Sequence, residues 1–456
     1  MPRIIDKAQV DDDELREVVL QAFEAILLRC PAEVTPFVNQ IVDSATLLLK
    51  HDPNYAGDDD DDDEDDKMDE DEAEDEEEEE DDELGDDYSD DEDLSWKVRR
   101  TAAKVLAAAI TTRSELLLAF SQSIAPALVA RFSEREESVR VEVLQTFVSL
   151  LKQIELFGGA AQASEVPTSH TLLKRKLQDM DADGDPSING QLAALMPSIW
   201  KKLSQELVSK SLNTRIGAFA VLRELVVVLN GGLDAQVPAL VRQIERSLRN
   251  TDVSSGPSAG LKADIISFIR LLFSTHPPRA FDQHLDALVP ILISAIDDRP
   301  HRITIEGLSA CAELVRVCRP LQRSAASPRA KSSAYKLYLV KIFDAVSTRI
   351  AKPGTDQDIR ARGIACIGTI LAHAGDDLDD RKEDACALLL EALGNEVTRL
   401  AAVRTITQVA ASPLCVGPHF ETLVVKSIPE VAQLLRKSNR QLKITSFECL
   451  SEVLTR

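Results

Sequence analysis

Aromatic residues make up only 4% of this 456-residue chain, with two tryptophans and four tyrosines. So few rings suit many small helix–helix contacts better than a β-sandwich or an aromatic-centred enzyme core, and they leave little for stacking nucleic-acid bases. The seven cysteines (Cys30, Cys311, Cys318, Cys366, Cys386, Cys415 and Cys449) are odd in number and scattered, with no CxxC pair. Neither a disulfide framework nor a zinc site follows, and a reducing compartment, cytoplasmic and nuclear, is the expected setting. No apolar run reaches the roughly 18 residues of a membrane span, and MPRIIDKAQVDDDE at the N-terminus has no signal-peptide core. Phosphate-loop, HExxH, GxSxG and Rossmann glycine patterns are all missing, so the sequence supports no enzyme, cofactor or metal. His276, His284 and His301 are spaced by 8 and 17, which matches no standard ligand set; they read as loop or core histidines. Cys311 and Cys318 lie seven apart on one apolar helix and read as small core residues. Lys174–Arg175–Lys176 is too short to argue nuclear import or nucleic-acid binding.

The net charge of −25 is misleading. Asp58 to Asp93 holds 29 acidic residues and one lysine. Taking these from totals of 77 acids and 52 bases leaves 48 acids and 51 bases, a remainder close to neutral. Self-repulsion and the shortage of apolar residues predict a disordered insert. It reads either as a solvated loop or as a tether for a basic partner, with Ser89 in YSDDED a possible phosphosite.

What the chain has in abundance is amphipathic helix. In SWKVRRTAAKVLAAAI, Ser95 to Ile110, the apolar residues Val98, Ala102, Val105, Leu106, Ala109 and Ile110 fall on one face of a 3.6-residue helix, while Lys97, Arg100 and Lys104 face water. Asp11 to Cys30 repeats the design, with Asp11–Asp13 supplying a cap and Pro31 a stop. A further helix is expected from about Pro36 to Lys50. Helices near 125–132, 195–207, 237–248, 288–296 and 428–435 carry Pro126, Pro197, Pro238, Pro290 and Pro429 in or near the first turn or two. Each precedes a second helix that opens with a basic residue.

Those basic residues are Arg99, Arg140, Arg215, Lys262, Arg302, Arg360, Arg399 and Lys443, with successive spacings of 41, 75, 47, 40, 58, 39 and 44. Five of the seven spacings lie near the ~40–47 residues of a two-helix HEAT or armadillo unit. The long intervals contain inserts, Gly158 to Gly190 and Gln322 to Ser333. The expected architecture is all-α: a right-handed α-solenoid of HEAT/armadillo-type repeats, a superhelix carrying a long disordered acidic insert. Its parts are repeats over 1–57, the acidic insert 58–93, repeats over 94–157, a flexible insert 158–190 and repeats over 191–456. The basic residues are expected either to meet acids of the neighbouring repeat, such as Asp297 or Asp298 ahead of Arg302, or to face an acidic partner on the concave side, with the structural role favoured about two to one.

A series of segments then carries a family resemblance. VDDDELRE (Val10 to Glu17) and DPNY (Asp52 to Tyr55) precede the acidic run, and SWKVRR (Ser95 to Arg100) and SEREESVR (Ser133 to Arg140) follow it. HLDALVP (His284 to Pro290), GNEVTRL (Gly394 to Leu400) and RKSNRQLK (Arg436 to Lys443) come later. In this order they resemble the cullin-associated neddylation-dissociated family, the TIP120-like exchange factors of cullin–RING ubiquitin ligases. The resemblance implies a non-enzymatic HEAT solenoid, monomeric before binding, that wraps an unneddylated cullin with its RING partner. It implies that the modifier-acceptor lysine is masked and that substrate receptors exchange by steric competition, in SCF assembly, with no nucleic acid or membrane involved. The chain resembles the middle of the superhelix, so a central fragment, a partial gene model or a shortened paralogue is expected. The main rival is an importin-β-like nuclear transport receptor; other HEAT scaffolds, such as phosphatase scaffold subunits, and an acidic histone chaperone follow.

Overall fold

The computed structural model describes residues 1–51, 94–157, 188–249, 256–321, 335–378 and 381–455. The acidic run with Ser89, the basic triplet at 174–176 and most of the two later inserts lie outside the described residues. Among the described residues the regular structure is entirely helical, with eighteen α-helices. They divide into two compact units, Met1–Glu206 and Leu207–Arg456.

The first unit runs α1 (Pro2–Lys7), α2 (Asp13–Arg29), α3 (Val38–Leu49), α4 (Ser95–Thr112), α5 (Leu117–Ala130), α6 (Glu137–Phe157) and α7 (Ile188–Glu206). Helices α2, α4 and α6 pack side by side in one layer; α3 packs on α4, and α5 on both α6 and α7. The second unit runs α8 (Leu212–Leu229), α9 (Val237–Arg249), α10 (Gly256–Thr275), α11 (Leu285–Ile296), α12 (His301–Cys318), α13 (Lys336–Ala351), α14 (Gln357–Ala374), α15 (Arg381–Gly394), α16 (Arg399–Ala411), α17 (Pro418–Leu434) and α18 (Arg440–Thr455). Here α8, α10, α12, α14, α16 and α18 form the corresponding layer, each against the next. A second layer includes the contacts α11 on α13 and α15 on α17. This is the two-helix repeat that the basic-residue spacing expects.

Helix α4 shows why the layer forms. Val98, Ala102, Val105, Leu106, Ala109 and Ile110 are all fully buried, and so is Ala103. With α2 and α6 on its flanks and α3 beneath, only a strip through Lys97, Arg100, Lys104 and Ala107 stays partly open. Burying each Leu or Val of such a stripe contributes about 1.5–3 kcal/mol. Alanines let the flanking helices approach closely at no cost in helix propensity.

Helix starts differ from expectation in one consistent way. Pro126, Pro197 and Pro429 lie beyond the first two turns of α5, α7 and α17, while Pro290 falls in the second turn of α11 and Pro238 in the first of α9. Upstream apolar residues, such as buried Leu117, Phe120 and Ile124 in α5, carry the helix through the missing proline N–H. A short 3₁₀ turn also leads into α3, α5, α9 and α11, at Thr35–Phe37, Ser114–Leu116, Asp234–Gln236 and Pro278–Ala280. Ile188 already belongs to α7, so the insert expected to reach Gly190 ends earlier. Helix α8 stops at left-handed Asn230 (φ 44°), followed by Gly231 at φ 96°. A Cβ at Gly231 would sit 2.6 Å from the Thr275 carbonyl oxygen, so no other residue fits there without a shift.

Candidate protein-binding face

The eight predicted basic residues all fall at or near the starts of the even-numbered helices α4 to α18. Arg99 is the most enclosed. Its side chain and that of Glu134 are each 1% exposed, with Nη2 3.3 Å from Glu134 Oε1. Nη1 donates to Ser95 Oγ at 2.8 Å and to the His51 carbonyl at 3.0 Å. Arg140 Nε lies 3.4 Å from Glu206 Oε2, and its Nη1 donates to the Glu134 carbonyl at 2.6 Å. Burial raises the Glu206 carboxyl pKa, an effect that Arg140 opposes. Arg215 Nη1 donates to the Ser247 carbonyl at 3.1 Å, and Lys262 Nζ lies 2.7 Å from Asp298 Oδ2.

Each of these residues makes one contact forward, to the end of the next odd-numbered helix or the loop that follows it, while Arg99 and Arg140 also reach back to the His51 and Glu134 carbonyls. Arg302 runs the other way, with Nη2 2.5 Å from Asp264 Oδ1 on α10. The expected pairing of Arg302 with Asp297 or Asp298 is therefore corrected: Asp298 takes Lys262, and Asp297 takes Lys352. Arg399 turns back on its own hairpin, Nε to the Leu393 carbonyl (3.1 Å) and Nη2 to the Gly394 carbonyl (3.0 Å). Arg360 is half-buried and Lys443 exposed.

Carbonyl capping is what the sequence reading missed. The orphan carbonyls at the ends of α3, α5, α9 and α15 receive basic side chains: Arg131 and Arg99 at Lys50 and His51, Lys202 at Ala130, Arg215 at Ser247, and Arg399 at Leu393 and Gly394. Cations belong at helix C-termini because the dipole and the unpaired carbonyls both attract them.

A second set of charges lies on the open side of the even-numbered layer within each unit. Arg100 Nε is 3.8 Å from Glu142 Oε2 across α4 and α6, and Arg270 Nε is 3.5 Å from Glu306 Oε2 across α10 and α12. Burial raises the Glu142 carboxyl, opposed by Lys104 and Arg100. These arginines are 42% and 45% exposed, so each pair contributes under about 1 kcal/mol. The face is polar, exposed and spans successive repeats, suited to a protein partner.

His276 is buried, its Nδ1 3.2 Å from the Leu272 carbonyl, and burial lowers its pKa. His301 is exposed, 3.2 Å from Asp356 Oδ1, and with Asp358 it forms a group whose ligand atoms lie within 4.8 Å. Asp356 there accepts the Asp358 N–H at 2.8 Å, an ordinary helix cap. Cys311 is fully buried, as expected of a core residue; Cys318, expected to be one too, is only half-buried, and burial pushes its thiol up to about 12. Among the described residues no helix is long and apolar enough to cross a membrane.

Comparison with known proteins fixes the relationship. A family profile described as "CAND1-like, TPR repeats" matches residues 231–367. Cullin-associated NEDD8-dissociated protein 2 of Mus musculus is 38% identical over 450 residues, 99% of this chain and 34% of its own. Cullin-associated NEDD8-dissociated protein 1 of Drosophila melanogaster is 34% identical over 447 residues, 98% of this chain and 33% of its own. The chain thus spans about a third of the length of these relatives. A solved chain in a structure of Kap95p bound to RanGDP aligns over 99% of this chain and 52% of its own, with TM-score 0.60 and 11% identity. That likeness is one of fold, a HEAT-type helical solenoid. Over the length it spans, the chain belongs to the cullin-associated NEDD8-dissociated protein family.

Proposed function

We propose that this chain is a non-enzymatic regulator of cullin–RING ubiquitin ligases, and that it binds an unmodified cullin with its RING partner through the open face of the even-numbered helices. The observation that carries the reading is the 34–38% identity, over almost the whole chain, to proteins named for cullin association and NEDD8 dissociation. An extended polar face on a helical stack supports it, since such a face gives a long partner many weak contacts. Regulation then works by occupancy: a chain that binds only the unmodified complex opposes modifier attachment by the coupling free energy between the two events. Free thiols at all seven cysteines suit work in the cytosol and nucleus. The Kap95p likeness at 11% identity concerns the fold and favours no transport-receptor reading.

The test is co-purification of the chain with an unmodified cullin–RING complex and, in parallel, with the same complex carrying its modifier. Retention by the unmodified complex alone is expected. Retention by neither, or by a triphosphate-bound small GTPase instead, would refute the reading.

A further inference from the structure

Along α4–α6 and α10–α12 the open face satisfies itself, arginine to glutamate across neighbouring helices. Between α16 and α18 it does not. There Arg404, Arg440, Gln441, Ile444, Thr445 and Glu448 line an open groove of about 520 Å³. Arg404 lies midway along α16 and Arg440 opens α18; both are exposed, and neither pairs with a carboxylate among the described residues. Exposed Arg436, Lys437 and Lys443 add to the local positive field, with Glu448 the one acid in the groove. Ile444, in the groove lining, is 49% exposed, so an apolar edge borders the two guanidinium groups.

We propose that this groove is a docking site for an acidic segment of a protein partner, in which a carboxylate lies close to an apolar side chain. The inference deepens the cullin-binding reading by naming the chemistry of one contact, and it rests on that reading only for the partner's identity. Two guanidinium groups offer forked donors to a carboxylate, and neither needs to break an existing ion pair first. The apolar edge gives such a segment a surface to bury, which charge alone does not provide. Glu448 argues for a peptide over a nucleic acid, because a continuous phosphate chain along the groove would meet its carboxylate. At Arg100 and Arg270, by contrast, a partner's acid would have to displace Glu142 or Glu306.

The experiment uses the full chain and an Arg404→Ala/Arg440→Ala double variant. Fluorescence anisotropy at about 0.15 M ionic strength follows three labelled probes: a Glu/Leu-alternating peptide, its Gln/Leu counterpart and a single-stranded oligothymidylate. The acidic peptide should bind, the neutral one about tenfold or more weaker, and the double variant should lose the acidic peptide by a similar factor with its circular dichroism unchanged. An Arg270→Ala control, on the self-paired part of the face, should bind like wild type. No binding of the acidic peptide, equal binding by the double variant, or preference for the oligonucleotide would overturn the inference. The cullin–RING co-purification separates the two claims. If wild type binds the peptide through these arginines but not the complex, the groove stands and the functional reading falls. If wild type and double variant retain the complex equally, the groove falls and the functional reading stands.

Discussion

Replacing Arg99 with Ala should destabilise the first unit far more than any other substitution among the eight basic residues. Arg99 and Glu134 form an ion pair with both side chains 1% exposed, and removing one member of such a pair costs about 3–5 kcal/mol because the other charge stays buried. Glu134 keeps a second cation, Arg131 Nη1 at 3.4 Å, which places the loss near the lower end, ~3 kcal/mol. The His51 carbonyl also loses its donor, adding about 1 kcal/mol. Arg100→Ala is the control in the same unit: at 42% exposure, its pair with Glu142 is worth under about 1 kcal/mol. Urea unfolding followed by tryptophan fluorescence isolates the relevant transition, since Trp96 and Trp200 both lie in the first unit. A joint Arg99→Met/Glu134→Leu replacement should recover part of the loss, since it leaves no charge unpaired. If Arg99→Ala costs no more than Arg100→Ala, the buried-pair reasoning is wrong.

Other outcomes follow from the packing and the titrating groups. A Cβ at Gly368 would sit 2.3 Å from Thr405 Cγ2, between α14 and α16, so Gly368→Ala should cost about 1–3 kcal/mol by thermal denaturation, and Thr405→Ala on that background should restore part of it. Burial lowers the pKa of His276 and His373 below 6.5; His373 also has its Nδ1 2.7 Å from the Arg319 carbonyl. The unfolded chain therefore takes up these protons first, and stability should decline as the pH falls through 6.5, with the decline smaller in His373→Gln when urea midpoints are compared. Burial-raised Glu142 and Glu206 act in the opposite sense: the folded state holds their protons longer, so their contribution is present below pH 4.5 and lost as pH rises through the raised values, and Glu206→Gln should remove part of that trend.

The helical-repeat class was legible because it rests on periodicity, which survives insertion. The stripe Val98–Ile110 is buried as its spacing requires, and Asp12 caps α2 by accepting the Leu15 N–H at 3.0 Å. Local rules failed where tertiary packing overrode them. Proline is at home in a first turn, so Pro126, Pro197 and Pro429 were read as near helix starts, yet apolar residues upstream continue each helix. The basic ladder was legible as a period but not in its partners. A guanidinium's reach to a backbone carbonyl leaves no trace in residue identity, and the direction of each pair depends on how one repeat is rotated against the next. The Arg404–Arg440 groove had only a faint signal, because its two arginines stand at different positions of their repeats and become neighbours only when α16 and α18 stack.

The account's central claim is that the open face of the even-numbered helices receives the cullin. Hydroxyl-radical footprinting of the chain, with and without an unmodified cullin–RING complex, reads it directly. Leu271 of α10 and Ile444 of α18 lie on the claimed face, while exposed Leu118 of α5 and Leu337 of α13 lie on the other layer. The account predicts protection of Leu271 and Ile444 with Leu118 and Leu337 unchanged. Protection of Leu118 and Leu337 instead, or no protection of the even-numbered helices in a formed complex, would contradict it.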